Sequence, residues 1–150
     1  MEGMQYIYEL CERLPRCGPG DNKSTGRAFS AMDKLPKEPC VLDIGCGTGM
    51  QTIELAKVSN GKIIALDNYQ GFLDILIKKA DEEGLKEKII PKNISMLEMD
   101  FDPASFDIIW SEGALYCMEF QNGLKRCRQL LKTGGYLAVT ELVYIAPYPP

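Results

Sequence analysis

The most informative segment of this chain is Val41-Leu42-Asp43-Ile44-Gly45-Cys46-Gly47-Thr48-Gly49. It overlaps a short apolar run, residues 40–44, that stops at glycine, as strands buried in parallel sheets often do. The glycines permit a sharp turn and let a ligand approach the backbone closely. Because a helical pattern follows, the segment predicts a ligand site at the carboxyl end of the first strand.

Apolar runs and helical patterns alternate along the rest of the chain. We predict strands at residues 40–44, 62–67, 89–92, 106–111 and 136–140, with the helix before the last strand ending at Gly134-Gly135. The alternation predicts an α/β fold, a Rossmann-like doubly wound parallel sheet with strand order 3-2-1-4-5. Pro91 cannot donate a ladder hydrogen bond, so the third strand is expected at a sheet edge.

The N-terminal residues predict two helices joined by a turn. Ser24 is the predicted N-cap of the second helix. The turn contains Arg16 and Gly20-Asp21, which are candidates for a lid over the ligand site, with an ordinary surface loop as the alternative. We therefore predict a helical and lid segment, residues 1–37, followed by a Rossmann-like domain, residues 38–150. The first helix is predicted over residues 5–14, because apolar side chains recur there at helical spacing: Tyr6, Ile7, Leu10 and Leu14.

Composition and charge disfavour several classes of function. The 150 residues carry 17 basic and 21 acidic side chains, and the net charge of −4 disfavours nucleic-acid binding. No apolar run is long enough to cross a bilayer, and the N-terminus does not resemble a signal peptide. We therefore expect a cytoplasmic protein with no nucleic-acid or membrane partner.

The chain has six cysteines and no histidine. The cysteines form no CxxC pair, so we expect no metal site and mostly buried free thiols. The absence of histidine removes the commonest general base and the usual Ser-His and Cys-His hydrolase arrangements.

The residues after the glycines discriminate between ligands. A dinucleotide fingerprint starting at Gly45 requires glycine at position 50, which is Met50. A phosphate-binding P-loop requires Lys-Ser or Lys-Thr, but Met50-Gln51 follows. Asp43 adds negative charge that is awkward for a pyrophosphate and favourable for a cationic ammonium or sulfonium group.

At these positions the sequence resembles the class I S-adenosylmethionine (SAM)-dependent methyltransferases, including the small-molecule enzymes of quinone biosynthesis. The run from Val41 to Gly49 matches the first motif of that family at every position, and Asp67 ends the second strand where the family places an acid. The resemblance spans residues 38–143 and implies SAM as the cofactor.

The resemblance also implies roles for individual residues. In the glycine loop, Asp43 would orient the loop near the ammonium of SAM, while Gly45 and Gly47, with Cys46 and Gly49, would form the floor beneath the methionine part. Asp67 would bind the ribose hydroxyls. The adenine would be flanked by Asn68 and Leu97 and met at its edge by Ser95 or Met96.

The segment after the fourth strand supplies the candidate catalytic residues. Glu112 is a candidate general base or substrate anchor, with a solvated loop carboxylate as the alternative. Tyr116 is a second candidate, although a pocket wall or core aromatic is its simpler interpretation. The segment Trp110-Ser111-Glu112-Gly113 lacks the Asn-Pro-Pro-Tyr type motif of enzymes that methylate nucleic-acid amino groups. By analogy with the family, we expect a small-molecule acceptor.

The chain departs from the family at its C-terminal end. The family sheet has seven strands, whereas this chain is expected to lack strands six and seven, as a C-terminally truncated domain. Strand five would then be an uncovered edge, so we expect instability or self-association of the isolated chain. Two alternatives to an active methyltransferase stay open: a non-catalytic SAM-binding fragment and a dinucleotide-binding oxidoreductase domain.

Overall fold

The computed structural model describes the backbone of residues 2–143 and the side chains of residues 5–143. Its helices are α1 (Glu2–Glu12), α2 (Asn22–Ser30), α3 (Met50–Val58), α4 (Gln70–Glu82) and α5 (Phe120–Leu130). Its strands are β1 (Val41–Ile44), β2 (Ile63–Asp67), β3 (Ile89–Asn93), β4 (Phe106–Glu112) and β5 (Leu131–Thr140). Short 3-10 helices lie at Lys86–Lys88, Met96–Glu98 and Leu115–Met118. Residues 144–150 of the predicted Rossmann-like domain lie outside the described residues.

The five strands form one parallel sheet in the order β3-β2-β1-β4-β5. The predicted fold class and strand order are therefore confirmed. Pro91 lies on β3, opposite Ala65 of β2, at one edge of the sheet, as its missing N–H predicted.

The central strand explains why the sequence signal is strongest at β1. All four of its residues are completely buried, because helices cover both faces of the sheet. Val41 packs with α3 and α4 on one face, whereas Leu42 and Ile44 pack with α5 on the other. A strand buried on both sides must be almost continuously apolar, so the charged residue in it, Asp43, is the exception that needs a reason.

The predicted N-cap of the second helix is wrong. The N-cap of α2 is Asp21, whose carboxylate accepts a hydrogen bond from the Ser24 backbone N–H at 2.7 Å, so Ser24 lies inside the helix. Helix α1 packs on α4 through Tyr8, which stacks on Tyr69 with ring centroids 4.4 Å apart. The apolar side chains at helical spacing are exposed: Tyr6, Ile7, Leu10 and Leu14.

The boundary between α5 and β5 also differs from the prediction. Helix α5 ends at Leu130, and β5 begins directly at Leu131 and passes through Gly134-Gly135. Its register against β4 shifts, since Leu131 pairs with Phe106 but Tyr136 pairs with Ile108. The glycines thus lie in an irregular start of the strand and not at the end of the helix. Within the described residues β5 has only β4 as a neighbour, and the expected association through this edge stays a prediction.

The six cysteines are free thiols, but most are not fully buried. Only Cys46 and Cys127 are buried, whereas Cys17 and Cys117 are exposed. Across the described part of the chain, no group of three or more potential ligands is arranged to hold a metal ion. No helix there combines the length and apolarity that a bilayer crossing requires.

Candidate functional site

A cavity of about 360 Å³ lies at the carboxyl ends of β1, β2, β3 and β4. This is the position at which open α/β sheets bind ligands. It brings together residues predicted from four separate parts of the sequence: Gly45, Gly47, Asp67, Asn68, Ser95, Met96, Leu97, Glu112 and Tyr116. Three further predicted residues, Asp43, Cys46 and Gly49, are buried and do not line it.

The glycine loop has a conformation that side chains would obstruct. Gly45 and Gly47 have left-handed φ angles of +70° and +53°. A Cβ atom on Gly45 would lie 2.4 Å from the Cβ of Ala114, and one on Gly47 would lie 3.1 Å from the Sγ of Cys17. Glycine is therefore needed here for both the turn and the close packing around the cavity.

Four backbone N–H groups of this loop are already engaged within the protein. Gly45 and Cys46 both donate to the Leu66 carbonyl, at 2.8 and 3.0 Å, and Gly49 donates to the Cys46 carbonyl at 3.0 Å. Gly47 donates to Oδ2 of Asp67 at 2.9 Å. Dinucleotide and P-loop sites hold phosphate with such groups, so this loop is poorly suited to a pyrophosphate.

Asp67 joins the glycine loop to the end of β2. Its Oδ2 accepts from Gly47, its Oδ1 accepts from the Tyr69 N–H at 3.1 Å, and its side chain lines the cavity. Burial raises the pKa of this carboxyl, while the hydrogen bonds from Gly47 and Tyr69 oppose the shift. A carboxylate offers about four acceptor positions, so Asp67 retains capacity for donors from a ligand.

Asp43 lies beneath the loop, with no exposed surface. Thr52 donates to its Oδ2 at 2.6 Å, and its Oδ1 has no hydrogen-bond partner among the described residues. Burial raises the pKa of Asp43 to about 7, against the favourable hydrogen bond from Thr52. Its contact is with the start of α3, so it acts on a ligand only through the loop that it supports.

The buried Asp43 predicts a pH-dependent stability. Its pKa is 3.8 when unfolded and about 7 when folded, so the folded state binds more protons between these values. Its contribution to stability is therefore lost as pH rises through this window and is constant above it. We expect the free energy of unfolding of Asp43→Asn, relative to the parent, to rise by up to roughly 4 kcal/mol from about pH 4 to about pH 8. Urea unfolding across that range measures the difference; a difference that does not change with pH would contradict the assignment.

Glu112 is held by a network at the end of β4. Arg16 Nη1 donates to Oε2 at 2.5 Å, while Thr25 Oγ1 and Trp110 Nε1 donate to Oε1 at 3.1 and 2.9 Å. The side chain is only 9% exposed, so its interpretation as a solvated loop carboxylate is wrong. Three of its roughly four acceptor positions are taken, and one of the donors is a cation. This geometry disfavours a general base and favours a positioning group.

The candidate Tyr116 and two polar residues near it, Ser111 and Glu141, differ in accessibility. Tyr116 is 66% exposed on the cavity rim, so it is not a core aromatic. Ser111 is fully buried, and its hydroxyl donates to the Ile44 carbonyl at 3.0 Å, which removes it from the cavity. Glu141 accepts from the Tyr116 N–H at 3.1 Å and thereby anchors the rim.

The charge of the cavity wall is acidic. Asp67 and Glu112 are the charged residues that line it, and among the described residues no lysine or arginine does. Because Arg16, which does not line the cavity, pairs with Glu112, the uncompensated negative charge of the wall is that of Asp67. Such a wall complements a cation and provides no counter-charge for phosphates.

Sequence reasoning missed the part of the wall that α1 and the following turn provide. Ile7, Tyr8, Cys11, Cys17 and Gly18 all line the cavity. Two sequence signals touched this part of the wall: the turn-forming run that suggested a lid, and the helical pattern of α1, whose member Ile7 lines the cavity.

Comparison with known proteins bears on this geometry. Residues 41–135 match a protein-family model described as a methyltransferase domain. The chain belongs to the methyltransferase family. The resemblance to class I SAM-dependent methyltransferases is therefore confirmed, and the matched region runs from the start of β1 into β5.

Curated relatives of this methyltransferase-family chain are longer than it is. The sterol 24-C-methyltransferase erg6 of Aspergillus fumigatus is 28% identical over 109 residues, covering 72% of this chain and 29% of the relative. The demethylmenaquinone methyltransferase of Lactobacillus johnsonii is 33% identical over 125 residues, covering 81% of this chain and 51% of the relative. The chain thus spans about a third to a half of the length of these relatives.

Solved structures confirm the methyltransferase fold. Phosphoethanolamine N-methyltransferase 2 of Haemonchus contortus, solved with S-adenosyl-L-methionine, has a TM-score of 0.75 at 19% identity, covering 94% of this chain and 33% of its own. Geranyl diphosphate C-methyltransferase of Streptomyces coelicolor A3(2), solved with S-adenosyl-L-homocysteine, has a TM-score of 0.70 at 14% identity, covering 78% and 42%.

Proposed function

We propose that this chain binds SAM in the cavity and is part of an enzyme that transfers the methyl group to a small-molecule acceptor. The observation that carries the proposal is the meeting of the glycine loop and Asp67 at one acidic cavity. The hydrogen bond from the Gly47 N–H to Asp67 Oδ2 holds the glycine turn next to a carboxylate that can accept from ribose hydroxyls. One small ligand could therefore contact both. Membership of the methyltransferase family supports the same ligand.

The positions of the lining residues suggest how the ligand lies. Asp67 would accept the ribose hydroxyls, and Asn68 with Ser95, Met96 and Leu97 would surround the adenine. Gly45 and Gly47 would approach the methionine part, at the end of the cavity that reaches Glu112. Cys46 and Gly49 would contribute by shaping the loop, and Asp43 by supporting it from below.

The residues around the acceptor suggest a mechanism based on alignment. When bound, SAM supplies an electrophilic methyl group on a positively charged sulfur. The acidic wall would help to bind that positive charge. Because transfer breaks the bond between the sulfur and the methyl group and leaves neutral S-adenosylhomocysteine, the step itself would rely on alignment and on the exclusion of water from one side of the cavity by α1 and the residues before α2. Glu112 would position the cavity wall, and Tyr116 would contact the acceptor from the rim. No histidine is present to remove a proton, so an acceptor that needs deprotonation would have to rely on other groups.

The acceptor is proposed only as a small molecule. Relatives are named for sterols, demethylmenaquinone and phosphoethanolamine, which differ widely in polarity. The acidic wall disfavours a polyanion such as nucleic acid in this cavity. A non-catalytic SAM-binding role differs from the enzyme only in turnover, so release of S-adenosylhomocysteine from SAM with candidate acceptors separates the two.

Calorimetry and thiol protection test the cofactor. We expect SAM and S-adenosylhomocysteine to bind and NAD not to bind, because the loop N–H groups are already engaged. Bound S-adenosylhomocysteine should also slow alkylation of Cys17, which lines the cavity. It should leave the alkylation rate of Cys40, which precedes β1 and does not line the cavity, unchanged. Tight NAD binding without SAM binding would overturn the proposal in favour of a dinucleotide domain.

A further inference from the structure

A short segment between α1 and α2, residues 16–21, lies against the cavity; we term it the strap. At one end, Cys17 Sγ lies 3.6 Å from Thr48 Oγ1 of the glycine loop. At the other end, a Cβ on Gly20 would lie 3.4 Å from Glu112 Oε2. The strap therefore packs on both the loop and the end of β4, and its residues Cys17 and Gly18 form part of the cavity wall.

One ion pair fastens the strap to the sheet. Arg16 bonds Glu112 through Nη1, and its Nη2 donates to Asn22 Oδ1 at 2.8 Å. The two charged side chains are only 10% and 9% exposed. Charges this deeply placed are stable only when paired, and removing one partner leaves the other uncompensated. Glu112 is in turn fixed by Thr25 and Trp110, so the strap is attached to a rigid anchor.

The position of this pair links it to the ligand site. Glu112 lines the cavity directly, whereas Arg16 does not and acts through Glu112 and the strap. We propose that Arg16 is a positioning residue for the cofactor: its bond to Glu112 holds the strap against the glycine loop and closes one wall of the cavity. The inference that the wall is closed depends on the structure alone, whereas the identification of the ligand in the cavity as SAM rests on the proposed function.

The test uses Arg16→Ala with Arg13→Ala as the matched control. Arg13 lies just beyond α1, is exposed, and its side chain forms no hydrogen bond or ion pair with any described residue. Cys17 is exposed and reacts already in the parent, but its Sγ is held against Thr48. Without ligand, we therefore expect alkylation of Cys17 to be roughly twofold to threefold faster in Arg16→Ala and unchanged in Arg13→Ala. In calorimetry, Arg16→Ala should weaken S-adenosylhomocysteine binding by roughly tenfold or more, and circular dichroism should show that the fold is retained.

Two further variants keep the test decisive if Arg16→Ala folds poorly. Arg16→Lys retains the charge but cannot bond Glu112 and Asn22 as a fork, so its Cys17 reactivity should lie between parent and Arg16→Ala. If Arg16 acts through Glu112, the increase in Cys17 reactivity caused by Arg16→Ala should be smaller in a Glu112→Gln background than in the parent.

The two readouts separate failure of this inference from failure of the proposed function. Equal Cys17 reactivity in the parent, Arg16→Ala and Arg16→Lys would overturn the positioning role, whatever the ligand. If Cys17 responds to Arg16 but the parent binds no S-adenosylhomocysteine, the strap assignment stands and the cofactor assignment fails.

Discussion

Asp67→Ala is expected to weaken S-adenosylhomocysteine binding by about 100-fold or more. The variant loses the acceptor proposed for the ribose hydroxyls, worth roughly 1–3 kcal/mol. It also leaves the buried Gly47 N–H without its partner at 2.9 Å, at a similar cost, and so loosens the loop beneath the ligand. Calorimetry against the parent measures the combined effect.

Two other variants make the Asp67 result specific. Asp74→Ala removes an aspartate from the exposed side of α4, where it only accepts from Gln70, and should bind like the parent. Asp67→Asn keeps an acceptor oxygen and the side-chain shape, so its affinity should lie between those of parent and alanine variant. If Asp67→Ala is folded and binds normally, the ribose has been assigned to the wrong residue.

The sheet could be predicted because its determinants are local. Each strand is a short apolar run, and the order follows from crossover geometry together with the proline on β3. The glycine loop and Asp67 could be predicted for a related reason. Parallel strands end at the same edge, so residues that follow β1 and β2 must be neighbours.

The N-terminal part of the site could not be predicted, since its contacts join residues far apart in the chain. The bond between Arg16 and Glu112 spans 96 positions, and neither residue has a local pattern that indicates the other. Helix α1 leaves the apolar residues of its helical pattern exposed and packs through Tyr8, which that pattern does not include. Tertiary contacts here override the local signal.

The role of Glu112 shows the same limit in chemical terms. Its place after β4 correctly indicated a residue on the cavity wall. Whether a carboxylate there acts as a base depends on how many donors surround it, and that number is set by Arg16 and Thr25 from a distant segment. Position along the sequence therefore predicts where such a group lies better than what it does.

Gly49→Ala is expected to destabilise the fold by about 3 kcal/mol or more. Gly49 caps α3 with a left-handed φ of +83°, which costs a non-glycine residue about 1–2 kcal/mol. In addition, its Cβ would lie 2.2 Å from Leu76 Cδ1 and 3.0 Å from Leu76 Cβ, so α4 must move away from the loop. Overpacking of this kind adds about 1–3 kcal/mol.

Gly84→Ala separates the two causes. Gly84 has a similar φ of +68° just after α4, but a Cβ there would meet no atom within 4 Å. Its replacement should therefore cost only the backbone strain, about 1–2 kcal/mol. Urea unfolding measures the loss in free energy of unfolding for each variant, and the difference between the two losses is the contribution of the contact with Leu76. Since Leu76 is fully buried between α4 and the sheet, equal losses would mean that the core yields to an added methyl group at the loop. A clear excess for Gly49→Ala would instead show that the packing of α4 fixes the loop conformation on which the ligand site depends.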